Sequence, residues 1–206
     1  MIKILRLCVL LFTLAALQAC VSVPSKPFEQ SENLAQHQQH LQKIAQIQQF
    51  SLQGRIGVQA DGKGFSGNID WQHSTANDEL NIYSPLGSQV AKVIKMNDQV
   101  TLTDAKDNST TAKNIAELTQ QTLGWELPLN GLADWALGRP TKSPVTAITW
   151  DENGHIKTLA QDGWQLEYNS YTEINNLTVP NKISIRNPKV YFKLLVDNWQ
   201  NICKQR

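Results

Sequence analysis

The segment Phe50-Ser51-Leu52-Gln53-Gly54-Arg55-Ile56-Gly57-Val58-Gln59-Ala60 is where the sequence changes period. Upstream, apolar residues recur every three to seven positions. Within the segment, Phe50, Leu52, Ile56, Val58 and Ala60 alternate with polar or small residues, the pattern of a half-buried strand. Asp61-Gly62-Lys63-Gly64 is a turn, and Phe65, Gly67, Ile69 and Trp71 alternate along a return strand, so the segment is one arm of an antiparallel hairpin. Gly62-Lys63-Gly64-Phe65-Ser66-Gly67 also matches the G-x-G-x-x-G dinucleotide fingerprint. That fingerprint works only between a strand and a helix whose N-terminus holds the pyrophosphate. A strand follows Gly67, so the match is fortuitous.

Downstream, alternation and turn chemistry place strands at 79–84, 89–96 and 99–103. The link Ser84-Pro85-Leu86-Gly87-Ser88 carries a large apolar residue between two turn formers. Pattern alone leaves two readings of Leu86: tucked onto the core, or exposed at a loop tip where it touches lipid. Helical spacing returns with Ile115, Leu118 and Leu123, opened by a capping pair of Asn114 and Glu117 and ended by Gly124. Pro128 opens another helix with Leu129, Leu132, Trp135 and Ala136 on one face, stopped by Gly138 and Pro140. Strands follow at 145–150 and 155–160 around Asp151-Glu152-Asn153-Gly154. Further strands carry Trp164, Leu166 and Tyr168, then Ile183 and Ile185, then Val190, Phe192, Leu194 and Val196, with Trp199 following.

Before the hairpin, 29–49 is an expected amphipathic helix with Leu34, Leu41, Ile44 and Ile47 as its apolar stripe. His37 and His40 lie three apart on it. No carboxylate or Cys nearby completes a metal site, so they are expected on a solvated face. The fold class is therefore α+β and mainly β, with about ten strands and three helices in a single domain over 29–206.

The N-terminus has Lys3 and Arg6 followed by 7–17, apolar except for Thr13: a secretory leader too short to span a bilayer. Leu17-Gln18-Ala19-Cys20 resembles the lipobox of bacterial lipoproteins. That resemblance implies removal of 1–19, acylation of Cys20 and a tether over 20–28; an ordinary secretory signal cut near Ala19 is the alternative. Val21, in place of the Asp that often holds lipoproteins in the inner membrane, leans towards the outer membrane. Losing Lys3 and Arg6 from 19 cations leaves the mature chain near neutral against 18 anions, without the basic surface that a nucleic-acid partner requires. Of three cysteines, Cys8 leaves with the leader and Cys20 is the anchor, so Cys203 has no disulfide partner within the chain.

No G-x-S-x-G, H-E-x-x-H or C-x-x-C accompanies the four histidines, His37, His40, His73 and His155. No catalytic residue, metal ligand or cofactor is expected. Asn108-Ser109-Thr110 and Asn176-Leu177-Thr178 match a glycosylation pattern and are read as loops only. The six tryptophans, Trp71, Trp125, Trp135, Trp150, Trp164 and Trp199, lie on strands or on and beside the middle helices. Such side chains make either a packed core or a lipid-sized cavity, and periodicity does not separate the two.

Taken in order, further landmarks run through nearly the whole mature chain: Gly54-Arg55-Ile56, Trp71, Ser84-Pro85-Leu86-Gly87, Leu123-Gly124, Leu127-Pro128-Leu129 with Leu132, and Trp135-Ala136-Leu137-Gly138 with Pro140. Gln161-Asp162-Gly163-Trp164, Tyr168, Val179-Pro180 and Asp197-Asn198-Trp199 complete them. Together these resemble the LolB family of outer-membrane lipoprotein receptors. The resemblance implies a strongly curved antiparallel half-barrel of ten or eleven strands, closed by helices around an apolar cavity. It also implies a monomer anchored through Cys20 at the periplasmic face of the outer membrane. Such a receptor takes acylated lipoproteins from the periplasmic carrier LolA without nucleotide and inserts them into the membrane. The matching loop, Pro85, Leu86 and Gly87, serves insertion; Ile69, Trp71, Leu80, Ile82, Trp150 and Tyr168 are the expected cavity lining. Two competing readings share the anchor: a half-barrel moving free lipids, and a structural lipoprotein with a solid core.

Overall fold

The alternation that starts at Phe50 sets the whole architecture. Strand β1 (Ile47–Ala60) buries Ile47, Phe50, Leu52, Ile56 and Val58, and β2 (Lys63–Ser74) pairs antiparallel with it, placing Trp71 opposite Leu52 and Phe65 opposite Val58. The computed structural model describes residues 27–204 except Asp98, Asn114 and Trp125. The expected leader, Cys20, most of the tether and the Asn114 cap therefore lie outside the described residues. Residues 32–206 make one compact unit.

The remaining strands are β3 (Asn77–Tyr83), β4 (Gln89–Met96), β5 (Gln99–Asp104), β6 (Ser109–Ala112), β7 (Val145–Trp150), β8 (Ile156–Gln161), β9 (Trp164–Ile174), β10 (Leu177–Arg186) and β11 (Val190–Lys204). The helices are α1 (Pro27–Ala45), α2 (Ile115–Leu123) and α3 (Leu129–Ala136). All eleven strands form one antiparallel sheet in the order β6-β5-β4-β3-β2-β1-β11-β10-β9-β8-β7. The two ends do not meet, so the sheet is an open half-barrel. Register shifts beside Gly54, Tyr83, Lys182 and Trp150 insert bulges, which bend strands and increase their twist.

Because side chains alternate at period 2, register gathers the apolar residues onto one face. One row runs Leu102, Val93, Leu80, Trp71, Leu52 and Trp199 through directly paired positions. A second runs Ile56, Leu194, Ile183 and Tyr168. Two glycines permit the close packing. A Cβ on Gly54 would strike the Leu195 carbonyl oxygen, and one on Gly67 the Tyr83 carbonyl oxygen.

Three differences from the sequence expectations have physical causes. Helix α1 ends at Ala45, and Ile47 belongs to β1, opposite Lys204. Strand β6 has no alternation to read, because its residues are small or polar on both faces. It is held by hydroxyl pairs Thr101–Thr111 (2.9 Å) and Thr103–Ser109 (2.8 Å). The two glycosylation-pattern triplets are not simple loops: Ser109 and Thr110 lie in β6, and Leu177 and Thr178 in β10.

Candidate functional site

The β3–β4 connection is short and strongly determined. The Ser84 N–H donates to the Ser88 carbonyl (2.8 Å), the Gly87 N–H to the Ser84 carbonyl (2.9 Å), and the Ser88 N–H to Ser84 Oγ (3.2 Å). Pro85 pre-sets φ at the first central position, and Gly87 takes φ +87°, which a residue with a Cβ adopts only with strain. Leu86, between them, is 96% exposed. An isolated exposed leucine is ordinary. One held out on a turn by two conformationally restricted neighbours is a fixed apolar projection.

An apolar cavity of about 310 Å³ opens at the same end of the sheet. Val58 and Ala60 line it from β1, Phe65 from β2, Ile82 from β3, Val90 from β4 and Gly124 from the end of α2, while Asp61, Lys63 and Gly64 of the β1–β2 turn form its rim. Ile82 and Val90 flank the Leu86 turn on either side. A wider cleft of about 610 Å³ at the opposite end is bordered by Gln49, Ser51, Gln72, His73, Asp78 and Glu79, among others, and is the more polar of the two.

Of the six expected lining residues, Ile82 lines the cavity. Ile69 lies opposite Ile82 and Trp71 opposite Leu80, so four of the six share one patch of the buried face. Trp71 is 1% exposed, packs edge-on against Phe50 and donates from Nε1 to Asp78 Oδ1 (3.0 Å). Tyr168 is buried beneath α3 and donates its hydroxyl proton to the Trp135 carbonyl (3.0 Å). Burial first, then Asp134, pushes its pKa far above the ordinary phenol value, so it remains a donor. Trp150, half-buried, stacks on His37 with ring centroids 4.8 Å apart. Val58, Ala60, Phe65 and Val90 were missed as lining, although the period-2 pattern of the opening hairpin already put the first three on one face.

Several of the other landmark residues converge on the seating of α3. Gln161 Oε1 accepts from Trp135 Nε1 (3.1 Å) and from the Thr141 N–H (2.9 Å), and its Nε2 donates to the Ser143 carbonyl (2.6 Å). Gly138, at φ +75°, packs against Pro180, and Trp199 Nε1 donates to the Pro180 carbonyl (3.1 Å). Thr119 Oγ accepts from the Leu127 N–H (2.9 Å), closing the α2–α3 connection. These residues build the scaffold; the cavity and Leu86 turn are set upon it.

His37 and His40 contradict the expectation of a solvated face: they are 5% and 8% exposed. Positions 37, 40, 41 and 44 share the spacing i, i+3, i+4, i+7, so the histidines belong to the stripe that faces the sheet, while Leu34 points outward. His73 donates from Nδ1 to Asp78 Oδ1 (2.7 Å), and His155 from Nδ1 to Asp151 Oδ2 (3.2 Å). Among the described residues no cluster of three or more His, Cys, Asp or Glu could hold a metal ion.

Comparison with known proteins bears on the whole chain. The family model described as "Outer membrane lipoprotein LolB" matches residues 48–199. A protein of Nitrosomonas europaea named Outer-membrane lipoprotein LolB is 37% identical over 157 residues, covering 75% of this chain and 74% of the relative. One of Nitrosococcus oceani with the same name is 33% identical over 202 residues, covering 95% and 97%. Among solved structures, a LolA superfamily protein from Nitrosomonas europaea superposes with a TM-score of 0.51 at 10% identity, over 82% of this chain and 94% of that one. A DUF1329 family protein from Desulfovibrio piger gives 0.52 at 7% identity, over 85% and 94%. These two likenesses are of fold alone. The family match takes in β2 to β10 whole and most of β1 and β11, and the chain belongs to the LolB family.

Proposed function

We propose that this protein is an outer-membrane lipoprotein that accepts acylated lipoproteins from the periplasmic carrier LolA and inserts them into the outer membrane. Its own anchor is acylated Cys20, at the periplasmic face, with 1–19 removed as leader, 20–28 spanning from anchor to domain and one monomeric domain beyond. The carrying observation is the coincidence of a fixed, exposed Leu86 with an apolar cavity whose lining residues Ile82 and Val90 flank the same turn. Acyl chains leaving the cavity there emerge beside the side chain that enters the bilayer. Relatives matched over three quarters to nearly all of the chain bear the name outer-membrane lipoprotein, which supports the location.

Transfer in this reading breaks no covalent bond. Each methylene moved from water into apolar surroundings contributes about 0.8 kcal/mol. Cargo therefore moves towards whichever compartment binds its chains more tightly, and nucleotide is not required.

A fluorescent fatty acid added to protein lacking residues 1–20 is expected to bind saturably and to be displaced by unlabelled fatty acid. A folded protein that binds none has a solid core, and the structural-lipoprotein reading replaces this one.

A further inference from the structure

The segment 32–43 of α1 is held to the β7–β8 turn and β9 by aromatic rings and a polar cluster around His37 and His40. The His37 ring stacks on Trp150 at an interplanar angle of 9°, and its Nδ1–H donates to the Gly154 carbonyl (2.8 Å). The His40 ring lies edge-on to His155 (4.8 Å) and to Tyr171 (6.5 Å), while His155 stacks on Tyr171 (4.8 Å). His40 Nε2 is sealed from solvent and has no hydrogen-bond partner. Gly154 permits the fit, since a Cβ there would strike the His37 backbone nitrogen. At the other end of the helix, Arg139 Nη1 donates to the carbonyls of Ile44 (2.8 Å) and Ile47 (3.1 Å), and Ile44 is fully buried.

We propose that residues 32–43 are an acid-released latch: uptake of a proton by His40 swings them off the β7–β8 turn and β9, about a hinge at 45–46 that Arg139 keeps in place. A charge on the sealed ring would face no compensating partner, and burying an unpaired charge is among the costliest events in a protein interior. Around His40 stand His37 and Lys43 on α1, His155 and Asp151 on the β7–β8 turn, and Tyr171 on β9. His155, His37 and Lys43 repel a proton there, and Asp151 alone attracts it. Burial is the largest influence; with these charges it lowers the His40 pKa from 6.5 to about 4.

The sign follows from linkage. The released segment binds a proton at the ordinary histidine value of 6.5 and the docked one only at about 4. Docking is thus complete above pH 6.5 and weakens as pH falls towards 4. The opening constant of the segment rises on the order of a hundredfold across that window. Release uncovers Trp150, His155 and Tyr171 while the sheet behind them stays paired.

Hydrogen exchange of the mature lipoprotein in detergent micelles, corrected for intrinsic rates and followed from pH 7.5 to 4.5, tests this. Protection at 34–43 is expected to fall on the order of a hundredfold while that at 183–196 holds, and His40→Phe should flatten the dependence. Histidine NMR of the unsubstituted protein gives a second reading, with His40 expected to titrate below pH 5. Protection at 34–43 that ignores pH, a loss shared equally with 183–196, or a His40 titration near 6.5 each overturn the latch.

Discussion

Replacing Leu86 by glutamate is expected to stop delivery of cargo to membranes while leaving the fold and acceptance from the carrier intact. Leu86 is 96% exposed and its turn is held by backbone bonds and Ser84 Oγ, so the folded state loses little. Surface changes away from packed features usually fall within about 0.5 kcal/mol. The membrane step differs. Burying a leucine side chain contributes about 1.5–3 kcal/mol, and a carboxylate in its place is unfavourable in apolar surroundings. Since about 1.4 kcal/mol is tenfold in an equilibrium, the loop's grip on lipid falls by at least ten- to a hundredfold. The check is transfer of acylated cargo from the loaded receptor to liposomes, with Leu86→Phe as the control that retains apolar bulk. Delivery by Leu86→Glu at the normal rate would remove the turn from the mechanism.

Trp71→Ala carries the largest expected effect on stability. The indole is 1% exposed, packs against Phe50 at 5.0 Å, and sits in the row from Leu102 to Trp199. Truncating a buried tryptophan costs about 3–5 kcal/mol, a large part of the roughly 5–15 kcal/mol available to a domain. It also removes the Nε1 donor from Asp78, leaving that buried carboxylate with His73. Trp71→Phe isolates the second contribution, keeping a ring against Phe50 while omitting the donor. Urea unfolding of both variants gives the two magnitudes. A loss under about 1 kcal/mol for Trp71→Ala would mean that the indole lines open space rather than packed core.

That distinction marks how far the sequence could be read. Turn residues and period-2 runs located ten of the eleven strands, because a strand with one buried face must alternate. Strand β6 alternates nothing and escaped. The turn around Leu86 was legible from Pro85 and Gly87, which dictate backbone angles. The direction of Leu86 was not, because it depends on whether neighbouring elements cover the turn. Whether a large side chain packs or lines a cavity depends on helices far away in the chain: Tyr168 lies under α3, Trp150 under α1, and Ile82 beside the gap at Gly124. The histidines of α1 were misassigned for a related reason. A neutral imidazole is amphipathic, and the choice between stripes 34-41-44-47 and 37-40-41-44 is made by the aromatic surface that receives the helix.

The landmark residues divide along the same line. Gln161, Trp135, Gly138, Pro180 and Trp199 join through hydrogen bonds and close packing into one anchoring point for α3. Leu86 meets no such network. Held in place by nothing but its turn, Leu86 is by far the most exposed large apolar side chain among the described residues, which is why the proposed mechanism gives it a role outside the folded domain.

The most direct test of cargo acceptance uses protein lacking residues 1–20, mixed with LolA preloaded with an acylated lipoprotein in the absence of nucleotide. Following which partner holds the cargo, the lipoprotein is expected to move from the carrier to this protein. Cargo that stays on the carrier while this protein is folded and binds fatty acid would contradict the receptor role and leave a half-barrel that handles free lipids.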